Sequence, residues 1–68
     1  MTEIDARGMR CPWPAIRLAR ALRDSRGAPV TILADDPAAP RELAAVAASA
    51  GRVLISDGTL RFRIDATT

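Results

Sequence analysis

Cys11 is the only cysteine in a chain of 68 residues that contains no histidine. It stands in Arg10-Cys11-Pro12-Trp13-Pro14, with Arg7 upstream and Arg17 downstream. A cysteine acts as a nucleophile through its thiolate, so its neighbours decide what it can do. The missing partners narrow the chemistry. Without histidine there is no Cys–His hydrolase. Without a second cysteine there is no dithiol redox cycle and no internal disulfide. Neither leaves Cys11 a partner for a cysteine–histidine zinc site. No Gly-rich phosphate loop or dinucleotide fingerprint appears. What remains is a thiol that receives a group, holds it and passes it to another protein. The competing reading is a small buried hydrophobe, which lone cysteines in reduced proteins commonly are.

The residue before a proline is pushed away from helical geometry, and proline suits the first turn of a helix. Cys11 is therefore expected at or just ahead of a helix N-terminus, with the helix starting at Pro12 or Pro14. Lowering a thiol pKa by two units takes about 2.7 kcal/mol of preferential anion stabilisation. A helix terminus supplies roughly 0.3–1 kcal/mol. Any strong activation must then come from Arg10, Arg7 or Arg17, if they approach the sulfur.

The elements that position this segment are legible in the periodicity. Residues 3–6 suit a short strand leading into a turn at Gly8. Ala15, Leu18, Ala19 and Leu22 recur with helical spacing and form one apolar stripe. Gly27 and Pro29 end that helix. Residues 30–34, Val-Thr-Ile-Leu-Ala, suit a buried strand. Asp36 before Pro37 reads as the cap of a second helix, although Pro40 leaves its start open. Leu43, Val46, Ala47 and Ala50 supply that helix's stripe, and Gly51 its C-terminal cap. Two strand-like runs then flank Asp57-Gly58, a favoured two-residue hairpin turn. Leu60, Phe62 and Ile64 alternate with Arg61 and Arg63, predicting one buried and one wet face. The order is β-α-β-α-β-β. It predicts an α+β two-layer sandwich, a four-stranded mixed sheet with two helices on one face. Residues 1–68 read as a single domain with no linker or repeat.

Composition sets outer bounds. A chain this short buries only about 60% of its unfolded surface, and its 49% apolar content makes a packed core feasible. The polar N-terminus and the absence of a long apolar run predict a cytoplasmic protein with no membrane association. A lone thiol suits a reducing compartment. All ten cations are arginine and the formal charge is +2. Six of those arginines fall in residues 1–34, against three acids, so positive charge gathers around Cys11 and favours anions or an acidic partner.

Asp5, Gly8, Cys11, Pro12 and Pro14 together resemble the D-x-x-G-x-x-C-P-x-P signature of the TusA/SirA/YedF-like sulfur carriers. Ala34-Asp35-Asp36-Pro37 is similar to that family's second landmark, an acidic turn after the second strand. The likeness spans nearly the whole chain. It implies that Cys11 accepts sulfane sulfur as a persulfide, often from a pyridoxal-phosphate cysteine desulfurase, and hands it to a downstream acceptor protein. The outlets it implies are tRNA thiolation, molybdenum-cofactor biosynthesis and other sulfur trafficking. The pyridoxal phosphate belongs to the donor, so no cofactor and no metal is expected here, and the chain is a persulfide carrier rather than a complete enzyme.

Each motif position also has a physical reading. Gly8 permits a tight or positive-φ turn. Asp5 can bond turn amides. Asp35 and Asp36 cap and turn the chain. Arg10 and Arg17 either steady a thiolate or persulfide, meet an acidic partner, or form a solvated basic face. Trp13, if exposed, makes a docking anchor. The family often carries aspartate after an arginine in the second helix, where this chain has Arg41-Glu42. Two other functions stay open on sequence alone. One is a basic regulatory or RNA-binding module with an incidental cysteine, disfavoured by one Trp, one Phe and no Tyr for stacking. The other is a relative handling selenium or a redox signal with the same thiol.

Overall fold

The computed structural model describes residues 2–66; positions 1, 67 and 68 lie outside the described residues. The elements run β1 (Thr2–Asp5), α1 (Trp13–Ser25), β2 (Val30–Leu33), α2 (Ala39–Ser49), β3 (Ile55–Ser56) and β4 (Arg61–Ile64). The sheet order is β1-β2-β4-β3. β1 pairs parallel to β2, and the two remaining pairs are antiparallel. The expected α+β sandwich, two helices over a four-stranded mixed sheet, is what forms.

Its core follows from the two-residue period of a strand. Val30 and Ile32 share one face of β2, opposite Ile64 and Phe62 of β4. Leu18 and Leu22 of α1, with Ala39, Leu43 and Ala47 of α2, close over that face. Leu18, Ile32, Leu43 and Val30 are sealed from solvent. Thr31, Leu33, Arg61 and Arg63 occupy the alternate positions on the helix-free side. There Arg63 bonds Asp65 at 2.9 Å and lies 3.5 Å from Asp57.

Several expectations shift by a residue or two, each for a local reason. β1 ends at Asp5, and Ala6 lies beyond it, fully buried, its amide donating to the Leu33 carbonyl at 2.7 Å. α1 begins between the two candidate prolines, at Trp13. Pro12 is its cap position, and the Pro12 carbonyl accepts from Ile16 at 3.0 Å. Ala19 is exposed rather than part of the stripe; Pro14 is buried beside Ala15, Leu18 and Leu22, which hold their expected places. α2 starts at Ala39, not at Pro37, because the Asp36 carboxylate turns the chain first. It accepts the Ala38 amide at 2.8 Å, and the Asp36 carbonyl accepts the Ala39 amide at 2.9 Å. Ala50 falls on the exposed C-cap instead of the buried stripe. Gly51, at φ +72°, then takes the left-handed turn that lets Arg52 donate to Ala47 and Gly51 to Ala48.

The hairpin departs most. Asp57 and Arg61 close it, the Asp57 amide donating to the Arg61 carbonyl at 2.8 Å, so the loop is Gly58-Thr59-Leu60 and not a two-residue turn. Leu60 is therefore in the loop, 45% exposed and at φ +63°, a region where branched side chains are uncommon. Its backbone still works: the Leu60 carbonyl accepts from the Ala34 amide at 2.9 Å.

Candidate functional site

The loop between β1 and α1 is held from outside by two adjacent carboxylates. Asp35 Oδ1 accepts the Gly8 amide at 2.9 Å, and Asp36 Oδ2 accepts the Cys11 amide at 3.0 Å. Both acids follow β2 with only Ala34 between, and β1 pairs in register with β2, so the sheet brings the two loops side by side. Gly8 sits at φ +82° with open space around it, so conformation, not crowding, explains the glycine. Asp36 spans both loops, its other oxygen on Ala38. Bonds from Ala38 and then Cys11 stabilise the ionised form and lower its pKa.

Asp5 does something more local. It accepts the Arg7 amide at 3.2 Å and forms a two-point pair with the Arg7 guanidinium at 2.9 and 2.8 Å. These bonds draw its carboxyl down to about 2. Asp5 thus bonds one turn amide, as expected, but does not cross to another element.

Cys11 is a free, exposed thiol one residue ahead of the α1 cap, which removes the buried-hydrophobe reading. The Cys11–Pro12 peptide is cis. The sulfur does not have the electrostatic setting that the local charge suggested. Arg7 is occupied by Asp5. Arg17 turns its guanidinium to the Met9 sulfur at 3.6 Å. The charge of Arg10 acts on Asp36. The groups that face the thiol are acids. Cys11, Pro14, Ala15, Asp36, Ala39 and Glu42 line one tight notch between the loop and the two helices. Hydrogen bonding to Glu42, then partial desolvation, then the charges of Glu42 and Asp36 raise the thiol pKa. Activation by arginine, conditional on an approach to the sulfur, gives way to neighbouring acids that raise the thiol pKa.

On the other flank of α1's first turns lies a wider groove of about 650 Å³, against the edge strand β1. Ile4, Met9, Trp13 and Ile16 form its apolar wall, and Arg17 and Arg20 its basic rim, with Glu3 and Asp24 also present. Trp13 is 60% exposed and Ile16 49%. Pro12 is exposed beside them, whereas Pro14 is buried and anchors the helix start.

With this geometry in place, comparison with known proteins decides the family. The family model described as "Sulfurtransferase TusA" matches residues 2–65. The chain belongs to the TusA family. A protein of Archaeoglobus fulgidus named "Putative sulfur carrier protein" is 37% identical over 68 residues, spanning 91% of this chain and 88% of the relative. The residues on which the sequence resemblance rests, Asp5, Gly8, Cys11, Pro12 and Pro14, all lie in or beside one loop. Two contributions were not assigned from sequence: Asp35 and Asp36 as the clasps of the cysteine loop, and Glu42 as the thiol's neighbour. The Ala34-Asp35-Asp36-Pro37 landmark was the available signal for the first. For Glu42 the signals were its place in the first turn of α2 and the acid that the family often carries after an arginine there. Among the described residues, no group of three or more potential ligands could hold a metal ion, and no helix is long and apolar enough to cross a membrane.

Proposed function

We propose that this protein is a sulfur carrier that takes up sulfane sulfur as a persulfide on Cys11 and relays it to an acceptor protein. The observation that carries the reading is the exposed, free Cys11 at the head of α1, its loop clasped by Asp35 and Asp36, in a chain of the TusA family. In the loading step the Cys11 sulfur, as thiolate, attacks the outer sulfur of a donor persulfide, R–S–SH. A new S–S bond forms on Cys11, the donor's S–S bond breaks, and the electron pair leaves on the donor sulfur, which takes up the proton that Cys11 gave up. No net oxidation occurs, so no cofactor is required of this chain. Unloading is the same exchange with an acceptor thiol.

The donor is a cysteine desulfurase or another sulfane-sulfur source, and the acceptor a downstream protein of tRNA thiolation, molybdenum-cofactor synthesis or another sulfur pathway. The site works in the cytoplasm, without membrane or direct nucleic-acid contact. Trp13 and the groove beside it dock these partners, since exposed tryptophans beside apolar pockets are the usual anchors of interfaces. Pro12 and Pro14 fix the helix start, Gly8 the turn, and Arg10 and Arg17 add positive charge around the docking face.

Intact mass spectrometry after incubation with a cysteine desulfurase and L-cysteine tests the proposal. Wild type should gain about 32 Da per sulfur, reversed by a reductant, and Cys11→Ser should gain nothing. A wild-type chain whose thiol is alkylated readily yet takes no sulfur from several donors would sink it.

A further inference from the structure

Glu42 is the only carboxylate that α2 contributes to the notch around Cys11. It sits in the first turn of the helix, half-buried, and α2 packs directly on α1. The other charged group facing the sulfur is Asp36 of the preceding loop, whose two oxygens are already engaged by backbone amides. Glu42 has no ion-pair partner among the described residues, which leaves its oxygens free for the thiol hydrogen. We propose that Glu42 is a positioning residue for Cys11, its carboxylate set against the thiol across the notch that the two residues share. The inference rests on the sulfur-carrier reading for its purpose but not for its test.

A carboxylate beside a thiol has two opposed effects on reactivity. It makes the thiolate scarcer, and it makes the thiolate that does form more nucleophilic. With a Brønsted coefficient of about 0.4–0.5, each unit of raised pKa slows attack at neutral pH by about threefold. The empty carrier is thereby quieter toward stray electrophiles and oxidants. Once a sulfane sulfur is bound, the reacting atom stands one S–S bond of about 2.05 Å farther out. The reacting sulfur of the loaded state is then a different atom from the one that shares the notch with Glu42.

The test is the pH dependence of alkylation by iodoacetamide, a neutral probe, on the full chain. Glu42→Gln should shift the midpoint downward and react faster than wild type at pH 7, by about threefold for each unit of that shift. It should also react more slowly than wild type on the high-pH plateau, a crossing that a merely structural role would not produce. Glu42→Asp, which keeps the charge, should stay nearer wild type. The wild-type chain alone gives a second measurement if the variants fold poorly. Its thiolate ultraviolet absorbance should titrate at higher pH than that of a peptide spanning residues 6–17. Superimposed profiles for wild type and Glu42→Gln, or a folded midpoint at or below the peptide's, would overturn the inference. Sulfur loading by mass is read in parallel. Loading with superimposed profiles removes the role of Glu42 and leaves the carrier; shifted profiles without loading remove the carrier and leave the Cys11–Glu42 coupling.

Discussion

The two flanks of α1's N-terminal end have opposite chemistry. On one side a narrow notch sets Cys11 against the carboxylates of Asp36 and Glu42. On the other a broad groove pairs the exposed faces of Trp13 and Ile16 with Arg17 and Arg20. Positive charge gathered near the cysteine in sequence is delivered to the groove in space. At 3.6 residues per turn, Arg17 and Arg20 share a face with Trp13 and Ile16, and α2 occupies the side toward which the notch opens. The difference teaches that a cluster of arginines around a cysteine in sequence is no guide to the field at its sulfur. One flank sets acids against a thiol, and the other exposes apolar and basic side chains.

The largest expected effect that would break this division comes from Trp13. Replacing it with alanine should weaken binding to a sulfur donor by an order of magnitude or more, as loss of an interfacial anchor does. Its alkylation profile should match wild type, because Trp13 is on the groove flank. A changed profile with unchanged donor binding would reverse the assignment of the two sides. Calorimetric titration against a desulfurase, beside the alkylation assay, reads both.

Asp36→Ala should have a smaller effect, confined to the notch. Removing the carboxylate frees the Cys11 and Ala38 amides, whose hydrogen exchange should accelerate, while groove-side amides of α1 keep their wild-type rates. The effect carries a pH signature. The folded-state pKa of Asp36 lies below its unfolded value. Its contribution is thus present above the unfolded pKa of about 3.9 and is lost as pH falls through the folded value. Wild type and variant should differ in melting temperature at pH 7 and converge in acid. A difference that persists undiminished in strong acid would show that the bonds to Cys11 and Ala38 are not its source.

Asp5→Ala is the smallest. Asp5 and Arg7 are both more than half exposed, and such pairs add little to stability. Thermal melting should be almost unchanged at pH 7, and any difference should vanish only as pH falls toward about 2, where the Asp5 carboxyl titrates. A loss as large as that of Asp36→Ala would mean that the local turn, rather than the clasp from the second loop, holds the cysteine in place.

Much of the fold was legible because its signals are periodic. Leu18 and Leu22, Leu43 and Ala47, and Phe62 and Ile64 each fall on the face that the spacing assigned them, and all are buried. The misreadings fall where one side chain or one backbone bond overrides a periodic pattern. Asp36 was read as a helix cap, yet its carboxylate serves two loops, a bond across 25 positions that no local pattern encodes. Leu60 looked like the first residue of an alternating strand, but the loop's closure between Asp57 and Arg61 left it outside. The site itself was half legible. The signature located Cys11, Gly8 and the prolines. The acid that faces the sulfur comes from another helix, and only the packing of α2 on α1 brings it there.

The bond from Ala34 to the Leu60 carbonyl has a practical consequence. Ala34 immediately precedes Asp35 and Asp36, so the tip of the hairpin is tied by this backbone bond to the segment that grips the cysteine loop. The tip is exposed and offers itself as a place to graft a fluorophore, an affinity handle or a fused domain. It is a poor choice. A graft that reshaped residues 58–60 would loosen the support of the sulfur's own loop, and an assay using such a fusion would report the graft's damage as a defect in sulfur transfer.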